Sequence, residues 1–287
     1  ALYGRCANVS PVLADPAALR MQVHASEIQQ IEAVRDKGFP LNEPADYTDD
    51  LTDGILDIVS SPDGTVTADI KGSVLTGTYS GTTADILAGI VTAIGGVTIN
   101  TSAIAALNSA APWEIGFYLR EEANALDVLD AVAQGVGSPF AYHGFNRANE
   151  FDCGLFQAPS GTGDIAITQN DIIDNSLTRE PLGQVVWKVI FNYRPNWTPQ
   201  SPDEMAGAVS DADRSAYGKE YLRTFEIEDA TVKDRYPDAI VLTVNSLIYE
   251  QADAEARDRR GLGGWERRLE GDVARFKHAE RQSHDGV

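Results

Sequence analysis

The sequence predicts an α+β fold in which strands predominate. Three stretches carry that expectation. Residues 54–72 (GILDIVSSPDGTVTADIKG) alternate with a period of two on either side of a turn, and residues 185–193 (VVWKVIFNY) are a run of β-branched and aromatic side chains. Residues 82–96 repeat apolar side chains at helical spacing and end on two glycines.

The β-rich opening is residues 1–72. Ile55, Asp57 and Val59 alternate with Leu56, Ile58 and Ser60, and Val66, Ala68 and Ile70 alternate with Thr65, Thr67 and Asp69. Pro62–Asp63–Gly64 lies between them, so the two runs are expected to pair as a hairpin, with Gly64 at a positive φ. Asp53–Gly54 and Asp36–Lys37–Gly38 are further turns. Residues 28–34 (IQQIEAV) fit strand or helix equally well by periodicity alone.

Residues 73–155 mix helix and strand. Thr82 or Thr83 caps a helix with Asp85 in its first turn, where a negative charge suits the helix dipole. Ile86, Leu87, Ile90, Val91 and Ile94 give its apolar face. A strand with Trp113, Ile115, Phe117 and Leu119 follows. Residues 125–134 then form a helix with Leu126, Val128, Leu129 and Val132 inward, and residues 140–155 form a hairpin around Gly144–Phe145–Asn146. In residues 156–287 the strong strand at 185–193 is broken by YRPNWTP. Residues 211–223 read as a helix, 238–247 as a strand, and 250–260 as a helix with acids leading and arginines trailing.

Composition narrows the function classes. A content of 43% hydrophobic residues is enough to bury real cores, and 23 basic against 43 acidic residues leave a net charge of −20. Such a surface repels phosphate backbones and anionic headgroups, which argues against sequence-independent nucleic-acid binding; acidity also serves solubility alone. Cys6 and Cys153 would pair only if the fold brought them together, and neither lies in a zinc-type spacing. No apolar run approaches the roughly 20 residues that span a bilayer. The opening ALYGRCANVS has neither Met nor a basic leader region, as in an excerpt or a processed product.

No reactive constellation stands out, and no catalytic, cofactor-binding or metal-ligating residue is expected. Gly-x-Ser-x-Gly is absent, and the histidines are His24, His143, His278 and His284, none with a partnering motif. Asp49, Asp50 and Asp53 lack the spacing and the final Glu of a calcium loop. Asp211 and Asp213 suit a helix cap and first turn. Gly161–Thr162–Gly163 lacks the lysine of a phosphate loop. Trp187, Tyr193 and Trp197 could stack on sugars, with Glu204 as an acid, although core or interface packing is the better explanation of aromatics on a strong strand.

Six segments in order resemble one family. ALYGRCANVSPVLADP, MQVHASEIQQIEAVRDKGFPL and GILDIVSSPDGTVTADIKG, followed by ADILAGIVTAIGG, LDVLDAVAQGVGSPFAYHGF and FNYRPNWTPQ…DAEARDRRGL, are similar to baseplate hub or tail-tip proteins of long-tailed bacteriophages and prophages. The matching positions include Gly4, Arg5, Asn8, Val9, Gln22, Val23, His24, Gly64, Val66, Thr67, Ala68, Asp69 and Gly72, then Tyr193, Arg194, Asn196 and Trp197. The resemblance implies tube-type β-barrel hub domains with small α/β insertions: a hub segment at 1–72, an insertion at 73–155 and a second hub segment at 156–287, incomplete at its end. It also implies a structural, non-enzymatic role in the virion. The protein would form a homotrimeric ring between the distal tail ring and the tip or fibre proteins, and the genomic DNA would pass through its lumen without specific binding. Acids such as Asp57, Asp69 and Asp164 would then be candidates for a lumen wall. The alternative is a tail-borne module that binds or degrades glycans.

Overall fold

The computed structural model describes residues 1–75, 77–136, 141–156 and 185–257. The chain starts with eight strands: β1 (Leu2–Val9), β2 (Val12–Asp15), β3 (Arg20–Gln22), β4 (Ile28–Asp36), β5 (Phe39–Leu41), β6 (Tyr47–Asp50), β7 (Ile55–Ile58) and β8 (Val66–Leu75). A mixed stretch follows with β9 (Thr78–Tyr79), α1 (Thr83–Ile94), β10 (Thr98–Ile99), α2 (Thr101–Ala110), β11 (Gly116–Tyr118), α3 (Ala125–Gln134), β12 (Ala141–Phe145) and β13 (Glu150–Leu155). The last part holds β14 (Val186–Pro195), α4 (Asp211–Tyr217), β15 (Tyr221–Glu228), α5 (Ala230–Arg235) and β16 (Ile240–Asn245), then a helical segment over residues 251–257. The fold is α+β and sheet-rich. Its strands form four sheets, and none of them closes into a barrel among the described residues.

Strand β8 organises the largest sheet, in the order β11-β1-β8-β4-β5 with β9 attached to β8. Val66, Ala68 and Ile70 of β8 face a core that also takes Leu2, Cys6 and Val9 from β1, Ile31 and Val34 from β4, and Leu56 and Ile58 from β7. Strand β7 belongs to a separate sheet, β2-β3-β7-β6, which supplies the opposite side of that core. The two runs expected to form a hairpin are therefore both strands, but they do not pair with each other. β7 pairs with β3 and β6, while β8 pairs with β1, β4 and β9. The Asp36 carboxylate explains the crossing: it accepts the Asp63 amide at 2.7 Å and the Gly64 amide at 3.0 Å, and so carries the linker from one sheet to the other. Gly64 is not at a positive φ, unlike Gly54 at 61°.

The ambiguous run at 28–34 is strand β4. Its buried Ile31 and Val34 stand three apart because a bulge between Ile31 and Ala33 resets the alternation against β8, which puts both on one face. The turn that follows is a two-residue one with Lys37 at φ 51° and Gly38 at φ 76°, the twist that hairpin strands prefer.

A second core collects Ile86, Leu87 and Val91 of α1, Leu107 of α2, Val128, Leu129 and Val132 of α3, Phe151 of β13, Phe191 and Tyr193 of β14, and Trp113, Ile115 and Ile248. Helix α1 starts at the Thr82 cap and ends on Gly95 at φ 79°, and α3 spans the expected residues. Leu126, expected inward, is 60% exposed. It stands two residues, about 200°, away from Val128 around the helix. Helix α2 has no counterpart in the sequence reading: its segment is built from small residues and buries only Leu107. The helix expected at 211–223 stops at Tyr217 with Gly218 as its cap, and Tyr221 already begins β15. The strand around Trp113 shortens to Gly116–Tyr118, whereas the one from 185 runs on to Pro195. Strands β12 and β13 form the expected hairpin; Phe140, residues 258–260 and the polar end of the chain lie outside the described residues.

Gly4 and Gly116 sit opposite each other where β1 meets β11. A side chain on Gly4, at φ 64°, would run into the Ile115 carbonyl, whereas one on Gly64 would meet only the flexible stem of Lys37. Gly4→Ala should therefore cost about 3 kcal/mol or more, from backbone strain plus a clash that backbone must absorb, and Gly64→Ala below about 1 kcal/mol. Urea denaturation of the two variants checks this; equal losses would contradict it.

Candidate functional site

The densest polar chemistry lies where β1 meets β14 and the segment after β16. Arg5 of β1 donates to Glu32 of β4 at 2.7 Å and to Glu250 at 2.6 Å, and it lies 3.5 Å from Glu114. Arg194 of β14 reaches the other oxygen of Glu250 at 3.3 Å and the Tyr249 carbonyl at 3.1 Å. Both guanidiniums lie against the Tyr249 ring, 4.1 and 4.3 Å from its centroid. Glu114 is held in turn by the Tyr79 hydroxyl at 2.8 Å, while its amide donates to Asp253. Burial raises the pKa of Asp253 and, together with the Asp69 carboxylate, pushes the Tyr249 phenol up to about 12.

Asp69 anchors the neighbouring level. β1 and β4 both bulge where they pass it on β8. Its carboxylate accepts the Asn8 amide at 2.8 Å and takes Arg35 through two bonds, at 2.9 and 2.6 Å. Asn8 adopts φ 54°, a conformation Asn tolerates, and its side-chain amide donates to Asn196 and to the Thr198 carbonyl, both at 2.7 Å. Asn196 passes the connection on to the carbonyls of Tyr217 and Lys219. Arg194, at φ 55°, is a left-handed residue in the middle of this junction. Beside it, Arg35, Arg194, Arg223 and Tyr217 surround a cleft of about 150 Å³.

The residues singled out in the sequence are dispersed. His24 is buried, and its Nδ1 accepts the Leu2 amide at 3.0 Å; burial, reinforced by the Ala1 amino group, pulls its pKa down to about 4. His143 bonds Asp130 at 2.8 Å and stacks on Phe151. Cys6 and Cys153 are free thiols in different cores, and burial raises both, Cys153 to about 11. Asp50 closes a turn by accepting the amides of Thr52 and Asp53. Asp211 and Asp213 occupy the first turn of α4 after the Ser210 cap. Trp197 packs edge-on against Phe117 and Tyr118, whereas Trp187 lies under Lys233, ten residues and roughly 30 Å along the strand. Glu204 caps its own turn by accepting the Ser201 amide, so these three side chains form no common platform. Asp57 and Asp69 are each paired with an arginine, Arg20 at the surface and Arg35 in a partly buried position. Gly161–Gly163, Asp164, His278 and His284 lie outside the described residues.

Among the described residues no three or more His, Cys, Asp or Glu side chains gather as a metal site, and no helix is long and apolar enough to cross a membrane. Neither a protein-family model nor a curated protein matches the chain.

What the junction does chemically is hold distant segments together. Its removal should be felt unequally. Arg5→Met leaves Glu250 to Arg194, Glu32 to Lys71 and Glu114 to the Tyr79 hydroxyl and should cost about 1–3 kcal/mol, while Glu250→Gln, at a carboxylate 44% exposed, should cost less than about 1 kcal/mol. Chemical denaturation checks the ratio. His24 sets a pH dependence of known sign. The unfolded chain binds its proton near pH 6.5 and the folded chain only near 4, so stability falls as pH drops through that window, by about 3 kcal/mol. In His24→Gln that part of the loss should vanish; parallel stability curves for the two proteins between pH 4 and 7 would assign it elsewhere.

Proposed function

We propose that the protein is a structural component of a phage tail tip or baseplate, a hub that assembles as a homotrimer, adapts the tail tube to the tip and lets the genome pass through its lumen. One observation carries this reading. Arg5, Asn8, Asp69, Arg194 and Asn196, five of the residues on which the resemblance rests, come from three distant stretches and build two adjoining networks, Arg5 with Arg194 through Glu250 and Asp69 with Asn196 through Asn8. The resemblance therefore rests on residues that build architecture, as befits a scaffold protein.

The sheet edges add support. β2 is exposed at all four positions, with Val12 50% and Leu13 49% accessible on its two faces, and β16 leaves Val241 and Leu242 in solvent. Both end their sheets among the described residues. Unprotected apolar edges are avoided by proteins that stay alone and suit strands that pair with a neighbour. Tube-type barrels completed by pairing between copies, or with other tail proteins, would use such edges. In this reading the protein is not an enzyme and resides in the virion, with acidic side chains on the wall of the conduit.

Light scattering after size exclusion should give three times the 31.0 kDa chain mass at high protein concentration. Val12→Lys and Val241→Lys should lower the trimer fraction while changing stability by less than about 1 kcal/mol. A monomer at every concentration, together with particles that carry other than three copies per level, would overturn the proposal.

A further inference from the structure

The cleft beside the junction inverts the charge of the molecule. Arg35, Arg194 and Arg223 line it against two carboxylates, those of Asp69 and Asp213, in a chain whose net charge is −20. The carboxylates are already engaged. Both oxygens of Asp69 bond Arg35, and Asp213 accepts the Ser210 hydroxyl at 2.7 Å. The arginines are not used up to the same degree. Arg194 spends Nε on the Tyr249 carbonyl and Nη2 on Glu250, leaving Nη1 without a bond. Arg223 makes no ion pair among the described residues and bonds only the carbonyl of its neighbour Leu222, at 3.2 Å.

An independent feature points the same way. Tyr249 is only 4% exposed and lines the cleft, and its hydroxyl is not one of the fully buried polar atoms left without a partner, so it opens into that space. Tyr217, half-buried, lines the same space. Two guanidiniums with unused donors and two neutral hydroxyl donors converge on one space and call for an acceptor carrying negative charge. The space sets the size of that acceptor. About 150 Å³ is well below the roughly 300 Å³ at which pockets for nucleotide- or drug-sized ligands begin, and corresponds to about five waters.

We propose that this cleft is a binding site for a small free oxyanion of the size of phosphate, held by Arg194 and Arg223 and by the hydroxyls of Tyr217 and Tyr249. Arg35, neutralised by Asp69, shapes the wall. The bound ion links β14, β15 and the segment after β16 at the place where Arg194 takes its left-handed turn. The site is independent of the assembly reading and is tested without it.

Isothermal titration of the full chain with sodium phosphate, at ionic strength held constant with sodium chloride, tests the site. Saturable one-site heat in the millimolar range is expected. Arg223→Gln and Tyr249→Phe should each weaken it about tenfold or more, since each removes a hydrogen bond to a charged group. Tyr249→Phe keeps the ring on which Arg5 and Arg194 lie, and Arg223 is exposed, so Arg223→Gln keeps the test intact should the other variant lose its fold. Sedimentation at the same phosphate concentrations identifies the source of the oxyanion. Unchanged mass supports a free ion, while dissociation by phosphate would overturn that assignment in favour of a carboxylate from a second copy. Absence of saturable heat, or equal heat in wild type and both variants, would overturn the site altogether.

Discussion

A single guanidinium ties the ends of the described chain together. Arg5 meets Glu250 across 245 residues of sequence and Glu114 across 109, while Glu32 holds it to its own sheet. Each carboxylate alone would be a modest, partly exposed pair. Shared by three acids and stacked on Tyr249, the cation becomes the point through which strands of the first core and side chains flanking the second are held in register. Removing it leaves three acids with only Arg194 and Lys71 to offset them, and that asymmetry makes the site a constraint on the fold as well as a contact within it.

The geometry around the guanidinium follows from close backbone approach. Gly4 and Gly116 let β1 and β11 meet next to Arg5, whose amide donates to the Ile115 carbonyl at 2.9 Å. The paired bulges opposite Asp69 then re-aim β1 and β4 so that Asn8 points to Asn196 and Arg35 lies over the carboxylate. Placing buried Asn8 and Asn196 beside partly buried Asp69 is tolerable because each finds donors or acceptors nearby, although the Asn8 side-chain oxygen Oδ1 is left without one. A polar seam of this kind favours one arrangement of the sheets over slipped alternatives.

Much of the secondary structure was legible in the sequence, because it depends on local signals. Thr82 and Asn124 cap helices with their side chains, Gly95 ends one, and the alternation at Val66, Ala68 and Ile70 or at Val189, Phe191 and Tyr193 marks strands. The pairing of β12 with β13 was legible, whereas that of β7 and β8 was not, because they are neighbours in sequence and part only through the long-range grip of Asp36 on the linker. Bulges also hid β4, whose buried Ile31 and Val34 mimic helical spacing. Helix α2 was missed for lack of large apolar residues, though the Asn100 cap and its alanines were a readable signal. Arg5, Asn8 and Asp69 were named in the sequence only as parts of motifs. Their partners lie too far along the chain for spacing to reveal, and Asp69, which reads as an open acid on a strand, is in fact the most heavily used carboxylate of the seam.

The two cores are joined by polar contacts and a few shared strands, so whether they unfold together is the question on which the rest depends. Native-state hydrogen exchange under increasing denaturant answers it, by following amides of β1 and β8 in the first core and of β14 in the second. If the junction couples them, the exchange free energies of all three strands converge on one value and fall along one line as denaturant rises. Two separate lines, with β14 opening while β1 and β8 stay protected, would show that Arg5 decorates a boundary between independent units and does not hold them as one.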